Sequence, residues 1–345
     1  MVKKFKLFMR NKSRLLIFVF ISFMFMEVCQ NKKSEFKIDL PLGLDANDMF
    51  IPADNPLTKE KIDLGRKLFF EDRLSIDATI SCAFCHNPLL SFADGRYLEM
   101  GVWGQKGTRN STTLLNRVFA REQFLDGRAK NIEEVILEHL QNSKEMNNSL
   151  DNVLKVLEAD EYYRKAFKKV FKTKVTSESL SKAIASFVRT LVSGDSPYDR
   201  FMTGDKEALS EAARRGLILF QSERLNCKAC HAGPNFTDEN FNNNGAGQDL
   251  PEPDLGRYYV TKNDLDKGKF KTPTLRDIAR TSPYMHNGSL KSLLDVIEFY
   301  DRGGIHNANL SDKIKPLGLS FQEKEDLREF LRSLTGKNML FMGNL

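Results

Sequence analysis

Cys82-Ala83-Phe84-Cys85-His86 and Cys227-Lys228-Ala229-Cys230-His231 decide the reading of this chain, and together they use four of its five cysteines. In Cys-x-x-Cys-His, each thiol can add to one haem vinyl group while the adjacent histidine reaches the iron, the pattern of c-type haem attachment. With 5 Cys and 5 His in 345 residues, chance yields one such pentapeptide with a probability of about 0.001 and two with roughly one in a million. A zinc site would need four converging ligands, and a simple redox Cys-x-x-Cys pair leaves the repeated histidine unexplained. The motifs therefore imply two covalently bound haems.

The sequence around each motif repeats. Gly65-Arg66-Lys67-Leu68-Phe69 precedes the first and Gly216-Leu217-Ile218-Leu219-Phe220 the second. Each motif is followed by a proline and then Phe-x-Asp, at Pro88 with Phe92 to Asp94 and at Pro234 with Phe236 to Asp238. Such a repeated unit predicts a mainly α fold of two cytochrome-c-like haem domains related by internal duplication, with long irregular loops. Helical periodicity supports this, with a stripe of Leu180, Ile184, Phe187, Val188 and Leu191. Asn131 with Glu134, and Ser320 with Glu323, are capping-box openings. Leu293, Val296, Ile297 and Tyr300 share one helix face ahead of a Gly303-Gly304 stop. Ser193-Gly194-Asp195-Ser196-Pro197 reads as a linker, which places an N-terminal haem domain at 36–195 and a C-terminal one at 206–345. The polar stretch from Asn240 to Gly268 reads as a loop, and no long alternating strand pattern occurs.

Residues 1–28 read as an export signal. Lys3, Lys4, Lys6, Arg10, Lys12 and Arg14 precede an apolar run from Leu15 to Met26, too short to span a bilayer as a helix. Cys29 then stands where a bacterial lipoprotein is cleaved and lipidated. Glu27 and Val28 fit the small-residue cleavage box poorly, so an ordinary cleaved signal or an uncleaved anchor stands beside lipidation. Export to the periplasm, free or as an outer-membrane lipoprotein, suits covalent haem attachment. Without the six cations and Glu27 the net charge of +6 falls close to zero, which gives nucleic-acid binding no electrostatic support.

From Asn55 to Gly336 the chain resembles the bacterial dihaem cytochrome c peroxidase superfamily, which includes the tryptophan-modifying MauG branch. The resemblance rests on Asn55-Pro56-Leu57-Thr58, Leu64-Gly65-Arg66, the two haem motifs, Lys106 to Ser111, Gln123 to Ala129, Asn142 to Met146, Lys271 to Arg276 and Pro283 to Gly288. It implies a peroxide-binding N-terminal haem with His86 as proximal ligand, and a C-terminal haem, held by His231, for electron entry or charge storage. It further implies a distal acid–base group at Glu145, and a calcium ion held by the Asn110 side chain and the Thr281 and Pro283 carbonyls. A hard cation suits such oxygen donors. The family's sixth ligand of the C-terminal haem falls on Tyr300, as in the MauG branch, with Met285 and His286 as competitors.

The chain also departs from the family pattern. No histidine lies between His86 and His139, where the peroxidases carry one that caps the N-terminal iron, so that iron is expected to be high-spin and five-coordinate or water-ligated. Leu125 replaces the tryptophan between the haems, and Val135 a distal glutamine. His139, His286 and His306 lack ligand-spaced partners and read as structural or surface residues.

The expected activity is reduction of hydrogen peroxide with electrons from a small c-type cytochrome or cupredoxin. A MauG-like oxidation of tryptophan on a partner protein is the alternative. A plain electron-transfer cytochrome would need two six-coordinate irons and no distal acid, and Glu145 argues against it.

Overall fold

The computed structural model describes residues 35–336. The signal segment 1–28 and Cys29 lie outside the described residues. The longer helices, in chain order, are α1 (Lys59–Phe69), α2 (Ile132–Gln141), α3 (Leu150–Ala159), α4 (Glu161–Phe171), α5 (Ser177–Val188), α6 (Pro197–Met202), α7 (Glu211–Gln221), α8 (Leu293–Asp301) and α9 (Phe321–Arg332). Among the described residues the only sheet is one antiparallel pair, Phe241–Asn242 with Phe270–Lys271. The expected helix starts are in place. Asn131 accepts from the Glu134 amide at 2.8 Å, and Ser320 and Glu323 form a reciprocal capping box.

Helix α1 packs on α5, and α7 on α9. A glycine makes each crossing possible. A Cβ on Gly65 would stand 1.8 Å from the Ala183 carbonyl oxygen, and one on Gly216 would stand 2.0 Å from that of Asp326. These are the glycines that open the two repeated preludes. The phenylalanines that close the preludes are used alike. Phe69 meets Phe92 and Phe187 at ring separations of 6.2 and 5.1 Å. Phe220 meets Phe236 and Phe330 at 6.2 and 5.0 Å. Each trio joins a prelude helix, the loop after a haem motif and the partner helix in one buried aromatic cluster.

The stretch from Ser193 to Ser196 is no exposed tether, unlike the sequence expectation. Ser193 and Ser196 are fully buried. The Ser193 amide donates to Asn116 Oδ1 at 2.8 Å, its carbonyl accepts from Asn116 Nδ2 at 3.0 Å, and its hydroxyl pairs with Asp277. Small polar residues mark both linkers and tightly hydrogen-bonded crossings, and here burial decides for the crossing. Two bidentate ion pairs, the first buried and the second half-buried, brace the framework. Arg276 donates to Asp199 at 2.7 and 2.9 Å, and Arg189 to Glu133 at 2.7 and 2.8 Å.

Candidate active site

Each Cys-x-x-Cys-His segment folds as a single tight turn, closed by the histidine amide donating to the first cysteine's carbonyl at 3.0 Å. The turn brings two thiols and an imidazole to one place. In each case the histidine Nδ1 is then held by a backbone carbonyl of the following loop, His86 by Phe92 at 3.1 Å and His231 by Phe236 at 2.9 Å. That contact fixes the ring through Nδ1, the usual arrangement for a histidine that ligates a metal through Nε2. Phe92 and Phe236 both adopt left-handed backbone angles, with φ of 58° and 51°, to turn these carbonyls inward. Such a conformation costs about 1–2 kcal/mol in an L-residue, which burial of each phenylalanine ring, about 1.5–3 kcal/mol, offsets.

Burial sets the charge state of the pockets. It holds His86 neutral, down to about 4, with nearby His139 adding to the effect. It raises Cys82 and Cys85 to about 12 and Cys227 to about 11, and it lowers His231. A neutral imidazole beside paired thiols is the donor set a covalently held haem requires, so the residues fit that group at both motifs.

The structure brings Glu145 to the first motif, where its carboxylate acts electrostatically on Cys82, Cys85 and His86. Asn142, the C-cap of α2, turns the chain back and donates Nδ2 to Glu145 Oε1 at 2.7 Å. The other carboxylate oxygen is in hydrogen-bond contact with His139 Nδ1. Burial alone would raise Glu145, but the charge and hydrogen bond of His139, followed by Asn142, bring it below the ordinary carboxylate range. The backbone of Glu145 is tied down as well. Its carbonyl accepts from the Val102 amide at 2.9 Å, and a Cβ on Gly101 would stand 2.1 Å from the Lys144 carbonyl oxygen. The Met100 to Gly104 loop is thereby locked over the site, with the Met100 carbonyl 3.8 Å from Cys85 Sγ.

Two residues the sequence reading passed over belong to this cluster. Glu99 is pushed up to about 7, by burial first and then by repulsion from Glu145. His139 is not a bystander. It packs against Phe124 at a ring separation of 5.3 Å and stands 6.5 Å from the His86 ring.

At the second motif Tyr300 lies on the last turn of α8, half-buried and within electrostatic reach of Cys230 and Cys227, and desolvation raises its phenol. Asn244 Nδ2 donates to the Tyr300 hydroxyl at 2.9 Å and approaches Met285 Sδ at 3.5 Å. The two side chains thus converge on one amide, whereas His286 stacks on Phe270 at 3.9 Å and faces the Asp254–Arg109 pair. Lys313 Nζ, 3.8 Å from Cys230 Sγ, is a further neighbour that no motif signalled.

The oxygen donors expected for calcium are also available. Asn110 Nδ2 donates to the Arg96 carbonyl at 2.6 Å, and the Asn110 amide donates to the His286 carbonyl at 2.7 Å, which ties this segment to the 281–286 turn. Among the described residues, Asn110 Oδ1 and the Thr281 and Pro283 carbonyls accept no hydrogen bond. An all-oxygen set of this kind fits a hard cation.

Residues 59–207 match the family model for di-haem cytochrome c peroxidase. The methylamine utilization protein MauG of Methylophilus methylotrophus is 38% identical over 289 residues, covering 83% of this chain and 85% of the relative. The chain belongs to the di-haem cytochrome c peroxidase family. A cytochrome-c peroxidase of Pseudomonas sp. (strain SCT) is also 38% identical, over 316 residues and 83% of each chain. Among solved structures, a MauG-like protein associated with microbial copper homeostasis superposes with a TM-score of 0.82 at 31% identity, covering 88% of this chain and 97% of that one. Membership makes the protein an oxidoreductase of the cytochrome-c peroxidase type and implies two haems. Relatives named MauG and relatives named peroxidase both reach 38% identity with it.

Proposed function

We propose that this protein is a di-haem peroxidase that carries two c-type haems on its two Cys-x-x-Cys-His turns and reduces hydrogen peroxide to water. The observation that carries this reading is the convergence of Glu145 with Cys82, Cys85 and His86. Bound haem would supply the two-electron cleavage of the peroxide O–O bond. His86 would hold the iron through Nε2, its orientation fixed by the Phe92 carbonyl. Glu145, an ionised acceptor held by Asn142, would take the peroxide proton on one carboxylate oxygen and return it to the departing oxygen. The reducing electrons come from a small c-type cytochrome or cupredoxin. The paired glycine crossings and aromatic trios support two haem domains of common plan, at 36–195 and 206–345. Asn110, Thr281 and Pro283 would hold a calcium ion. The charged, apolar leader supports export to the periplasm, with Cys29 as a candidate lipid anchor; no described helix is long and apolar enough to cross a membrane.

The placement of Tyr300 supports a second reading, a MauG-like oxidation of tryptophan on a partner protein. A phenolate ligand would favour the ferric and higher states of the C-terminal haem and suit it to storing an oxidising equivalent. Steady-state oxidation of reduced cytochrome c by hydrogen peroxide tests the first reading. Turnover by the dihaem protein supports it. Loss of peroxide without donor oxidation, together with new oxygen on a tryptophan-containing protein substrate, would replace it with the second.

A further inference from the structure

His139 stands in a position that the family resemblance does not assign. We propose that His139 is the sixth ligand of the N-terminal haem iron, held in the ligating tautomer by Glu145. The proposal rests on the haem reading above and adds to it the side chain that closes the iron.

The Nδ1 atoms of both imidazoles are engaged, His86 with the Phe92 carbonyl and His139 with the Glu145 carboxylate, so each ring offers its Nε2. A metal about 2 Å from two imidazole nitrogens, with each ring centre about 1.1 Å behind its nitrogen, sets the ring centres roughly 6.3 Å apart. The observed separation is 6.5 Å, with the ring planes 69° apart. An imidazole serving a metal-bound peroxide without touching the metal would stand about 3 Å further back, to leave room for the oxygen atoms and a hydrogen bond. An edge-to-face contact alone would also place two rings at this distance. These two rings, however, share a cluster with Cys82, Cys85 and Glu145 at the attachment motif.

His139 is also built to stay in place. It occupies the last turn of α2, with Phe124 against its ring and Arg128 over Phe124 at 3.4 Å. A carboxylate on Nδ1 makes an imidazole a stronger ligand. The expectation of an open, high-spin iron came from the absence of a histidine in the segment ahead of Arg109-Asn110, whereas here the capping ring comes from a helix further along the chain. With His139 in that place, peroxide would need the imidazole to move aside, which would also release the Glu145 carboxylate from His139 Nδ1.

The test is electron paramagnetic resonance and absorption spectroscopy of the resting diferric protein, with haem content read by intact mass. The expected result is two attached haems, both low-spin, in the native protein. His139→Gly should keep both haems attached, convert one haem equivalent to high-spin, and return to low-spin when free imidazole is added. Retention of one high-spin haem equivalent in the native protein, unchanged in His139→Gly, would overturn the proposal while leaving the dihaem reading intact. Absence of attached haem in the native protein would remove the dihaem reading and this proposal with it. Should His139→Gly lose haem during maturation, the native spectrum still decides, since a high-spin equivalent there is incompatible with His139 ligation.

Discussion

Replacing Glu145 with glutamine separates its chemistry from its shape. Glutamine fills the same volume and keeps an oxygen for Asn142 Nδ2, which donates to Glu145 Oε1 at 2.7 Å. It removes the negative charge facing His139 Nδ1 and the site that accepts the peroxide proton. General acid–base help is worth about 10² or more in rate, equivalent to about 2.7 kcal/mol of barrier. Loss of the charged hydrogen bond to His139 costs a further ~1.5–3 kcal/mol in local stability, too little to unfold a well-packed domain. Glu145→Gln should therefore retain both haems by intact mass while peroxide-driven oxidation of reduced cytochrome c, normalised to haem, falls about 100-fold. Glu138→Gln is the matched control. Glu138 neighbours His139 in sequence but faces outward and pairs with Arg128 Nε at 2.7 Å, so its rate should stay within about twofold of the native protein, as expected for an exposed pair. A fully haem-loaded Glu145→Gln protein with native turnover would refute the reasoning, as would an equal loss in Glu138→Gln.

Tyr300→Phe should shift the spectrum and raise the potential of the C-terminal haem, and Tyr300→Met should raise the potential further; an unchanged spectrum in Tyr300→Phe would reduce the tyrosine to a packing residue. Gly65→Ala and Gly216→Ala should each lower stability by about 1–3 kcal/mol, the usual cost of overpacking, because their new methyl groups meet the Ala183 and Asp326 backbones; chemical denaturation reads the loss. Glu71, brought down to about 2 by Arg73 first and by the Tyr163 hydroxyl as well, binds protons less readily folded than unfolded. Its contribution to stability is therefore present above its ordinary value of 4.5 and is lost as the pH falls towards 2; an acid titration of Glu71→Gln should show a shallower loss over that window.

What the sequence made legible was local. The two Cys-x-x-Cys-His turns, the prelude glycines and the capped starts of α2 and α9 depend on residues a few positions apart, and each appears in the structure where the pattern put it. What it hid depends on crossings between distant segments. Ser193 to Ser196 looked like a linker because small polar residues serve loops and buried crossings equally, and only the partners Asn116 and Asp277 tell them apart. His139 looked like an isolated helical histidine because the ring it stands beside, His86, lies on a distant segment of chain. One signal was available: Asn142, a C-cap that folds Glu145 back towards the end of α2, sits midway between His139 and Glu145.

The same distinction bears on how one plan serves two tasks. On the proximal side the two motifs are built alike, with a turn, a left-handed phenylalanine and a carbonyl on Nδ1. The other side differs in every donor. The first motif faces an imidazole–carboxylate pair, His139 with Glu145. The second faces Tyr300 and Met285 around Asn244, a set with a hard oxygen, a soft sulfur and, among the described residues, no carboxylate hydrogen-bonded to either. On the proposed peroxidase reading, this difference would place proton transfer at the first motif and charge storage at the second. That division does not require the tryptophan that Leu125 replaces. The Leu125 carbonyl accepts from the Lys271 amide at 2.7 Å, so this segment of the first half is still tied to the second by a backbone hydrogen bond.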